Sequence, residues 1–399
     1  MARQTTTSTG RGTLGWLRER NRERVVGALG VLGGGSQADI ARATGLSRTT
    51  VSTVVAELRI AGLVIETGPP VSGQKGGRPG VRLVLQEPSR AVIGIDFGHS
   101  HVRVAVADLA HRILAERTQE FAVDGRAPEA IDTAAGLVAE VLAEAEIPRS
   151  TVIGAGIGIP GPVDRARGTV GSETILPGWL GIRIAEEIEQ RLGLPVEIEN
   201  DANCGALAEL TWGAGRDCQN FAYIKAATGI GAGIVVDGRL LRGASGTAGE
   251  IGHTTLDESG VLCTCGNRGC LETVASGPAI VRLVGQGRTE VLTLARVIDL
   301  AAQGDVRCRR SVADAGREIG VAVAGLCNLI NPERVIVGGA LGRAGEILLQ
   351  PLRESIQRHA VLAAAEKVEV VQGSFEDRAE LLGALALVLR GARTLPQLP

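Results

Sequence analysis

The sequence lacks the long apolar runs that a membrane-spanning protein needs. No segment of about 18 uninterrupted apolar residues occurs in it. The N-terminal stretch around Arg3 and Arg11 is rich in Thr, Ser and Gly and has no apolar run before a cleavage-like site. The seven cysteines are an odd set of which only three cluster, so a disulfide framework is not indicated. We therefore expect a protein of the reducing cytoplasm, neither secreted nor inserted in a membrane.

The charge of the chain is unevenly distributed. The 399 residues, 44% apolar and 22% charged, are typical of a globular protein with two or three domains. The net charge is only −2, but residues 1–88 contain 12 basic and 6 acidic residues, whereas the rest contains 30 and 38. This asymmetry favours a polyanion-binding module attached to an acidic body, although a chance cluster of solvated arginines would produce the same count.

The beginning of the chain predicts a tail and two helices. Residues 1–13 lack apolar periodicity and are predicted to be a flexible tail. Apolar residues recur at helical spacing from Leu14 to Leu32, where three glycines follow and end the first helix. Ser36 is a suitable N-cap for a second helix over residues 37–44.

The segment after the second helix has the pattern of a helix-turn-helix. Such a motif needs an apolar and then a small residue on its first helix, a Gly with positive φ in the turn, and apolar residues on the second helix. The residues that meet this requirement in order are Ile40, Ala41, Gly45, Leu46, Val51, Val54 and Leu58. Ser47 is expected to cap the second helix. Four residues then face outward, where a recognition helix contacts base edges and phosphates, and they are Arg48, Thr49, Ser52 and Thr53.

Two alternating segments, 63–67 and 81–85, predict a hairpin after the helix-turn-helix. Its tip contains Lys75 and Arg78 among glycines, which suits contact with a phosphate backbone or a minor groove. A solvated loop is the alternative for the tip taken alone. We therefore interpret residues 14–88 as a winged helix-turn-helix domain that binds a double-stranded DNA operator, although such folds also serve as protein-protein adapters.

Strands alternate with helices over the rest of the chain. Two alternating runs at 91–108 are joined by a tight turn, and a comparable hairpin at 221–238 indicates a weak internal duplication. Helices are predicted over 127–144 and 182–192. This order predicts an α/β fold class, with two related lobes around a cleft in residues 89–392 and a tail at 393–399.

A metal site is indicated by one histidine and three cysteines. His253 is followed after nine residues by Cys263, Cys265 and Cys270, and glycines at 266 and 269 let the short loop fold around an ion. One imidazole and three thiolates form a closed set that Zn²⁺ accepts tetrahedrally. Buried free thiols are the alternative interpretation. We predict a structural zinc.

The body of the chain also resembles a known family. The stretches GIDFG (94–98), GIGIPGPVD (156–164), IENDAN (198–203), TGIGAG (228–233), GEIGH (249–253), CTCGNRGCLE (263–272) and VIVGG (335–339) are similar to the ROK family of repressors, open reading frames and sugar kinases. The resemblance spans about residues 90–392 and implies the two-lobed actin/hexokinase-like (ribonuclease H-like) fold. With the N-terminal module added, the chain resembles the xylose- and N-acetylglucosamine-responsive repressors of that family.

The resemblance implies a sugar pocket. The positions that bind the pyranose ring in the family correspond to Asn200, Asp201, Glu250, His253 and Glu272. Taken singly, Asn200 and Asp201 are equally typical of a loop cap, and Glu272 of an acid in the first turn of a helix. His253, held on a metal by one ring nitrogen, would present the other to the ligand. Trp179 lies either over the sugar or in the core.

Phosphorylation of the sugar is the question that the resemblance leaves open. In the family's kinases the Asp that matches Asp201 removes a proton from the sugar hydroxyl, and two Gly-rich hairpins hold the phosphates of ATP. The first of these hairpins contains Asp-x-Gly-Gly-Thr-Lys in the kinases, whereas His99 and His101 occupy it here, and Ala227 replaces the leading Gly of the second. We therefore expect a sugar-responsive regulator, with no catalytic residue.

Two alternatives remain open at this stage. One is an active ATP-dependent sugar kinase with an appended DNA-binding domain, in which Asp201 would be catalytic. The other is a regulator that responds to a phosphorylated sugar or to a protein partner. For the regulator we expect a homodimer or homotetramer, because two recognition helices can then occupy two half-sites.

Overall fold

A computed structural model describes residues 11–60, 63–71, 80–85, 90–109, 111–171 and 175–391. The chain divides into two compact units, one formed by residues 1–91 with 107–114 and the other by residues 92–106 with 115–399. In the described residues the α-helices are, in chain order, α1 Arg11–Leu32, α2 Gln37–Thr44, α3 Arg48–Ile60, α4 Ala127–Glu144, α5 Ile184–Leu192, α6 Asp201–Thr211, α7 Glu272–Ala275, α8 Gly277–Gly285, α9 Leu294–Ala302, α10 Val306–Ile330, α11 Glu346–His359, α12 Leu362–Ala365 and α13 Ala379–Gly391.

The strands of the described residues follow the same alternation with helices that the sequence predicts. They are β1 Val64–Val71, β2 Gly80–Leu85, β3 Ala91–Phe97, β4 His101–Asp108, β5 Ile113–Glu120, β6 Val152–Ile159, β7 Val163–Asp164, β8 Thr169–Val170, β9 Val196–Asn200, β10 Phe221–Ala226, β11 Ile230–Val236, β12 Arg239–Leu241, β13 Arg334–Gly338 and β14 Glu369–Gln372.

The first unit contains the three helices α1 to α3 and the antiparallel hairpin β1–β2. Its core is formed by apolar side chains from all five elements, among them Val25, Ile40, Val51, Leu58 and Leu83. Helix α1 begins at Arg11, so the last three residues of the predicted tail 1–13 are helical. Apolar spacing marks the packed part of a helix and misses its first turn.

The second unit is built on two five-stranded sheets with the same internal order. The first sheet has the order β5-β4-β3-β6-β9 and the second the order β12-β11-β10-β13-β14. In each sheet, therefore, the first strand in sequence lies in the centre, the next two lie on one side of it and the last two on the other. The weak internal duplication in the sequence thus corresponds to two lobes of equal topology, and the fold class is α/β as predicted.

The central strands of the first sheet contain few polar residues because helices cover the sheet. Strand β3 is buried along its whole length, which explains its continuous apolar sequence. Helix α13, from the end of the described chain, packs on β6 and on α6. The approach is so close that a Cβ placed on Gly156 would lie 2.0 Å from the carbonyl oxygen of Ala384. The core of the first lobe is thus completed by residues about 230 positions downstream of β6.

Among the described residues, no helix combines the length and the apolarity required to cross a bilayer.

Candidate functional site

The turn between α2 and α3 has the geometry that a helix-turn-helix requires. Ser36 caps α2, with its hydroxyl accepting from the backbone N–H of Asp39, and the Asp39 carboxylate accepts in return from the backbone N–H of Ser36 at 2.9 Å. Gly45 ends α2 at φ 67°, a left-handed conformation in which a glycine is free of strain. The Ser47 hydroxyl then accepts from Thr50 N at 3.1 Å, as expected of a cap for α3.

Helix α3 has one buried and one exposed face. Val51, Val54 and Leu58 are buried in the core of the first unit. The N-cap and the first two turns carry five exposed residues, Ser47, Arg48, Thr49, Ser52 and Thr53. Within the described residues, Arg48 has no ion-pair partner. The structure thus brings these five predicted residues together on one solvent-facing surface, which we call the α3 surface.

The tip of the predicted wing, with Lys75 and Arg78, lies outside the described residues. The strands that flank it pair with register Val64 to Leu85 through Thr67 to Arg82. The Arg82 guanidinium donates to the carbonyl of Gly33 at 3.0 Å and fixes the hairpin against the segment before α2.

One histidine and three cysteines form a compact cluster in the second unit. The ligand atoms of His253, Cys263, Cys265 and Cys270 all lie within 4.8 Å of one another. Cys263 Sγ is 3.6 Å from His253 Nδ1, and Cys265 Sγ is 3.7 Å from Cys270 Sγ. A tetrahedron with metal-sulfur bonds of about 2.3 Å has edges of about 3.8 Å. This set of donors can therefore hold a metal ion, and we name it the His/Cys₃ cluster.

The loop that carries the three cysteines is shaped by its backbone. Gly269 has φ 61°, and a Cβ at this position would lie 1.6 Å from the carbonyl oxygen of Asp257. Only glycine fits there, because the segments around Asp257 and Gly269 cross in contact. Cys263 N donates to Asn267 O at 2.7 Å and closes the tight turn between the first and last cysteine.

The five residues predicted to bind a ligand line a single cavity of about 470 Å³. Asn200 ends β9 and Asp201 begins α6, Glu250 and His253 lie in the segment after β12, and Glu272 begins α7. The cavity is lined from both sheets, and its volume falls in the range of small-molecule sites.

Several of these side chains are also held by the fold. Asn200 is the N-cap of α6, and its amide donates to the carbonyl of Gly161 at 3.0 Å. Glu272 accepts from the backbone N–H of Ile230 at 3.2 Å. Burial, together with the charges of Asp201 and Glu272, raises the pKa of Glu250 to about 7. Asn200 therefore caps a helix and Glu272 lies in the first turn of one, as expected of each residue taken singly, and both also line the cavity.

Asp201 has a partner that the sequence analysis missed. Lys225, on β10, places Nζ 2.6 Å from Asp201 Oδ2 and 3.8 Å from Glu380 Oε1. Burial alone would lower the pKa of Lys225, but Asp201 and Glu380 outweigh it and hold that pKa above its ordinary value. A lysine in the middle of a strand of small and apolar residues was the signal available in the sequence.

The first hairpin, β3–β4, carries the two histidines on which the prediction about phosphorylation depends. His101 Nε2 lies 3.0 Å from Asp96 Oδ2, which accepts from it, and the ring comes to 2.3 Å from the position that a Cβ on Gly98 would take. His99 Nδ1 is 2.9 Å from Asp124 Oδ1. Both imidazoles line the cavity, and the His101 ring covers Gly98.

Trp179 belongs to the core. Its side chain is fully buried, its ring centroid lies 5.2 Å from that of Phe97 in an edge-to-face arrangement, and its indole N–H donates to Val123 O at 3.1 Å. Of the two interpretations left open for Trp179, the structure supports the core residue and not a cover over the cavity.

The architecture defines a two-lobed α/β protein with a polar interlobe cavity, preceded by a winged helix-turn-helix. Residues 92–391 match the model of the ROK family, and residues 23–74 match that of the MarR family. The chain belongs to the ROK family.

Known relatives include both regulators and kinases. The xylose repressor of Caldicellulosiruptor bescii is 32% identical over 377 residues, which cover 91% of this chain and 93% of the repressor. The glucokinase of Thermotoga maritima is 35% identical over 318 residues, covering 75% of this chain and 98% of the kinase. Among solved structures, a ROK family transcriptional regulator described as a homologue of the Escherichia coli Mlc protein superposes with a TM-score of 0.71 at 28% identity, covering 94% of this chain and 96% of the other.

Proposed function

We propose that the protein is a transcriptional regulator of carbohydrate genes, which binds operator DNA through the α3 surface and binds a small sugar in the interlobe cavity without phosphorylating it. One observation carries the proposal: the chain that has an exposed hydroxyl- and arginine-bearing helix surface also has five convergent polar side chains on one cavity. The xylose repressor aligns over 91% of the chain, whereas the glucokinase, itself covered to 98%, aligns over 75% of it.

The α3 surface has the chemistry of a DNA-reading helix. Arg48 can donate two hydrogen bonds to a guanine edge, and the hydroxyls of Thr49, Ser52 and Thr53 can contact either bases or phosphates. Ser47, at the helix N-terminus, lies where the partial positive charge of the helix favours a phosphate. Lys75 and Arg78 on the wing stay a prediction, with phosphate or minor-groove contact as their expected role.

The cavity has the chemistry of a sugar site. Pyranose hydroxyls both donate and accept, and Asn200, Asp201, Glu250, His253 and Glu272 offer carboxylate oxygens, an amide and an imidazole. Among the residues that the structure describes, seven carboxylates line the cavity, against two permanently charged cations, Arg103 and Lys225. This excess of negative charge favours a neutral sugar over a phosphorylated one.

The His/Cys₃ cluster is proposed to hold a structural zinc. Structural zinc sites have four ligands, namely two to four thiolates with imidazole as the remainder, and His253, Cys263, Cys265 and Cys270 leave no open position for a substrate. The ion would tie the cysteine loop to the turn that carries Glu250 and would orient the His253 ring toward the sugar. The side chains of the cavity, and not the ion, would make the hydrogen bonds to the sugar.

The proposal that the protein transfers no phosphoryl group to the sugar rests on the two hairpins near the cavity. Backbone N–H groups must approach phosphate oxygens closely to cradle them, and the His101 ring covers Gly98 at that point. In the second hairpin Ala227 N already donates to Gly229 O at 2.9 Å. Asp201 would then act only as an acceptor for a sugar hydroxyl.

An ATP-dependent sugar kinase with an appended DNA-binding domain is the second candidate, favoured by the presence of Asp201 and by the glucokinase relative. A coupled ATPase assay with a panel of hexoses distinguishes the two. We expect no turnover. A rate of about 1 per second or more, which is within the ordinary enzyme range, would establish the kinase instead.

Regulation requires that the sugar bind two states of the protein with different affinity. We propose a symmetric homodimer or homotetramer that presents two α3 surfaces to half-sites about 34 Å, or a multiple of it, apart.

The test is a gel-shift series on operator fragments with and without each sugar that a thermal-shift screen selects. A ligand at 100 times its dissociation constant adds about 2.7 kcal/mol to the free energy of unfolding, so true ligands stand out in that screen. If no sugar changes the affinity for DNA, the regulatory proposal fails. The cytoplasmic location stays a prediction.

A further inference from the structure

Lys225 is an unusual residue in this chain. The sequence contains only three lysines, Lys75, Lys225 and Lys367, against an abundance of arginines. Lys225 lies within β10, and its side chain is 18% exposed, with the ammonium group at the cavity. Lys367, by contrast, is exposed. A lysine is rarely buried without a specific counter-charge, so its surroundings define its role.

Three carboxylates of very low exposure surround this ammonium. Asp96, Asp201 and Glu380 come from β3, α6 and α13, and their side chains are 4%, 12% and 5% exposed. We call them the carboxylate cluster. Lys225 contacts two of them directly, and the third, Asp96, is bound by His101 at 3.0 Å. In the described part of the cavity lining, the other permanent cation is Arg103, which is bound to Asp377.

We propose that Lys225 selects the class of ligand: its ammonium is the built-in cation of the carboxylate cluster, so the cavity accepts an uncharged polyol and excludes a divalent cation together with the polyphosphate that such an ion carries. This inference rests on the proposed function, because it specifies why a sugar would bind at Asp201 without being phosphorylated.

The geometry gives two reasons for this selection. A divalent cation needs several free carboxylate oxygens, and at Asp201 one oxygen is held by Lys225 at 2.6 Å and the other by Ala202 N at 2.7 Å. A second cation placed there would also be repelled by the ammonium. A sugar hydroxyl meets no such obstacle, since it can donate to a remaining lone pair of Asp201 and accept from a remaining N–H of Lys225.

The same contact fixes the position of Asp201. Lys225 Nζ holds Oδ2 at 2.6 Å and Ala202 N holds Oδ1 at 2.7 Å, so the carboxylate is oriented as a hydrogen-bond acceptor for a sugar hydroxyl. Lys225 therefore acts on the ligand in two ways, by excluding the metal-bound phosphate and by orienting Asp201.

The experiment uses Mn²⁺ as the probe, on the full-length protein loaded with zinc beforehand. Bound Mn²⁺ is measured by electron paramagnetic resonance for wild type, Lys225→Met and Lys225→Arg. Methionine keeps most of the length of the side chain without its charge, and arginine keeps the charge. We expect Lys225→Met to bind Mn²⁺ at least tenfold more tightly than wild type and Lys225→Arg to resemble wild type. Adding Asp201→Asn to Lys225→Met should abolish the gain. Equal Mn²⁺ affinity in wild type and Lys225→Met would overturn the inference.

A second measurement uses only proteins that keep the positive charge at position 225, so it remains possible if Lys225→Met does not fold. Selective labelling of the lysine Nζ with ¹⁵N gives at most three side-chain signals in the wild-type protein. We expect one ammonium to be protected from solvent exchange near pH 8, and that signal to be absent from Lys225→Arg and unchanged by millimolar Mn²⁺. A wild-type spectrum without a protected ammonium, or one broadened by Mn²⁺, would contradict the role of Lys225.

Calorimetry of wild type with neutral sugars separates this inference from the function on which it rests. If no sugar binds but Lys225→Met gains Mn²⁺ affinity, the sugar function fails and the role of Lys225 as the cation of the cluster stands. If sugars bind and Lys225→Met gains nothing, the function stands and the role of Lys225 fails.

Discussion

His253 Nε2 lies 3.8 Å from Glu250 Oε2, while Nδ1 of the same ring faces the sulfur of Cys263. One imidazole thus belongs both to the His/Cys₃ cluster and to the polar lining of the cavity. The tautomer and the orientation of this ring depend on what holds Nδ1. Loss of a metal from the cluster should therefore reach the cavity through the His253 ring as well as through the cysteine loop.

We expect Cys265→Ser to reduce zinc affinity by at least a hundredfold and to abolish sugar binding, because the cysteine loop and the His253 ring lose their common anchor. Zinc content is measured by mass spectrometry and sugar binding by calorimetry on the same sample. Cys327→Ala is the matched control, since Cys327 is buried in α10 and does not belong to the cluster. Full sugar affinity in a zinc-free protein would contradict this link.

For the α3 surface, Arg48→Ala should cost about 1–3 kcal/mol in binding to the preferred operator and relax the base preference at one position. The affinity is measured by gel shift at a fixed salt concentration on a set of operator variants. Arg317→Ala removes the same charge from an exposed site on α10, where Arg317 pairs with Asp314, and should leave DNA binding unchanged. An equal loss for both variants would mean that only net charge matters.

Arg78→Ala on the predicted wing should behave differently from Arg48→Ala. A phosphate contact contributes to all sequences alike, so this substitution should weaken binding uniformly and reduce the slope of log affinity against log salt by about 1. The salt dependence of binding to specific and unrelated DNA provides the measurement. A change in base preference would instead assign Arg78 to base recognition.

The cap of α2 should be measurable as local stability. Ser36→Ala removes the side-chain acceptor for Asp39 N and the hydroxyl that donates to the Asp39 carboxylate, and we expect a loss of about 1 kcal/mol in the N-terminal module. Hydrogen exchange of the α2 and α3 amides reports this free energy directly. Ser52→Ala, on the exposed face of α3, should not lower it. If protection is the same in both variants, the capping box contributes nothing.

The contact between His101 and Asp96 predicts a dependence of stability on pH. Burial opposes ionisation of Asp96, but the hydrogen bond and charge of His101, with Lys225 and Arg103 beyond it, hold the pKa of Asp96 below its usual value. A lowered carboxylate pKa contributes stability above the pKa of the unfolded chain, about 3.9. That contribution is lost as the pH falls through the folded-state value.

His101→Gln should therefore lower the free energy of unfolding by about 1.5–3 kcal/mol near pH 6, the usual contribution of a hydrogen bond to a charged group. The difference from wild type should shrink as the pH falls below about 4. Thermal unfolding between pH 3 and pH 7 provides the test. His99→Gln is the control, because Asp124, the partner of His99, is half exposed and needs no counter-charge. If the free energies of unfolding of His101→Gln and wild type differed by the same amount from pH 3 to pH 7, the electrostatic explanation would be wrong.

Local features were predicted well from the sequence. The ends of α2 and α4 agree with those expected, since Ser36, Gly45 and the apolar periodicity of residues 127–144 are signals within a few residues of each other. The two-lobed α/β architecture, the ROK family and the composition of the His/Cys₃ cluster were also predicted. The roles given to the site residues and the domain limits stay predictions.

The features missed by the sequence analysis depend on contacts between distant segments. Lys225 and Asp201 are 24 residues apart, and Glu380 follows Lys225 by 155 residues, so no local pattern connects them. A lysine in a strand is usually solvated, and only the tertiary structure shows that this one is buried against carboxylates. The same holds for Trp179, whose partners Phe97 and Val123 lie more than 50 residues upstream.

The packing of α13 on β6 and α6 bears on how the protein is made. Helix α13 covers part of the hydrophobic core of the first lobe. Because α13 is translated after the second lobe, that core stays partly exposed to solvent until synthesis of the second lobe is complete. Residues 152–159, apolar and rich in β-branched side chains, stay uncovered through that interval. A message truncated before residue 379 would yield a nascent product with a complete N-terminal module joined to a body open to aggregation and proteolysis.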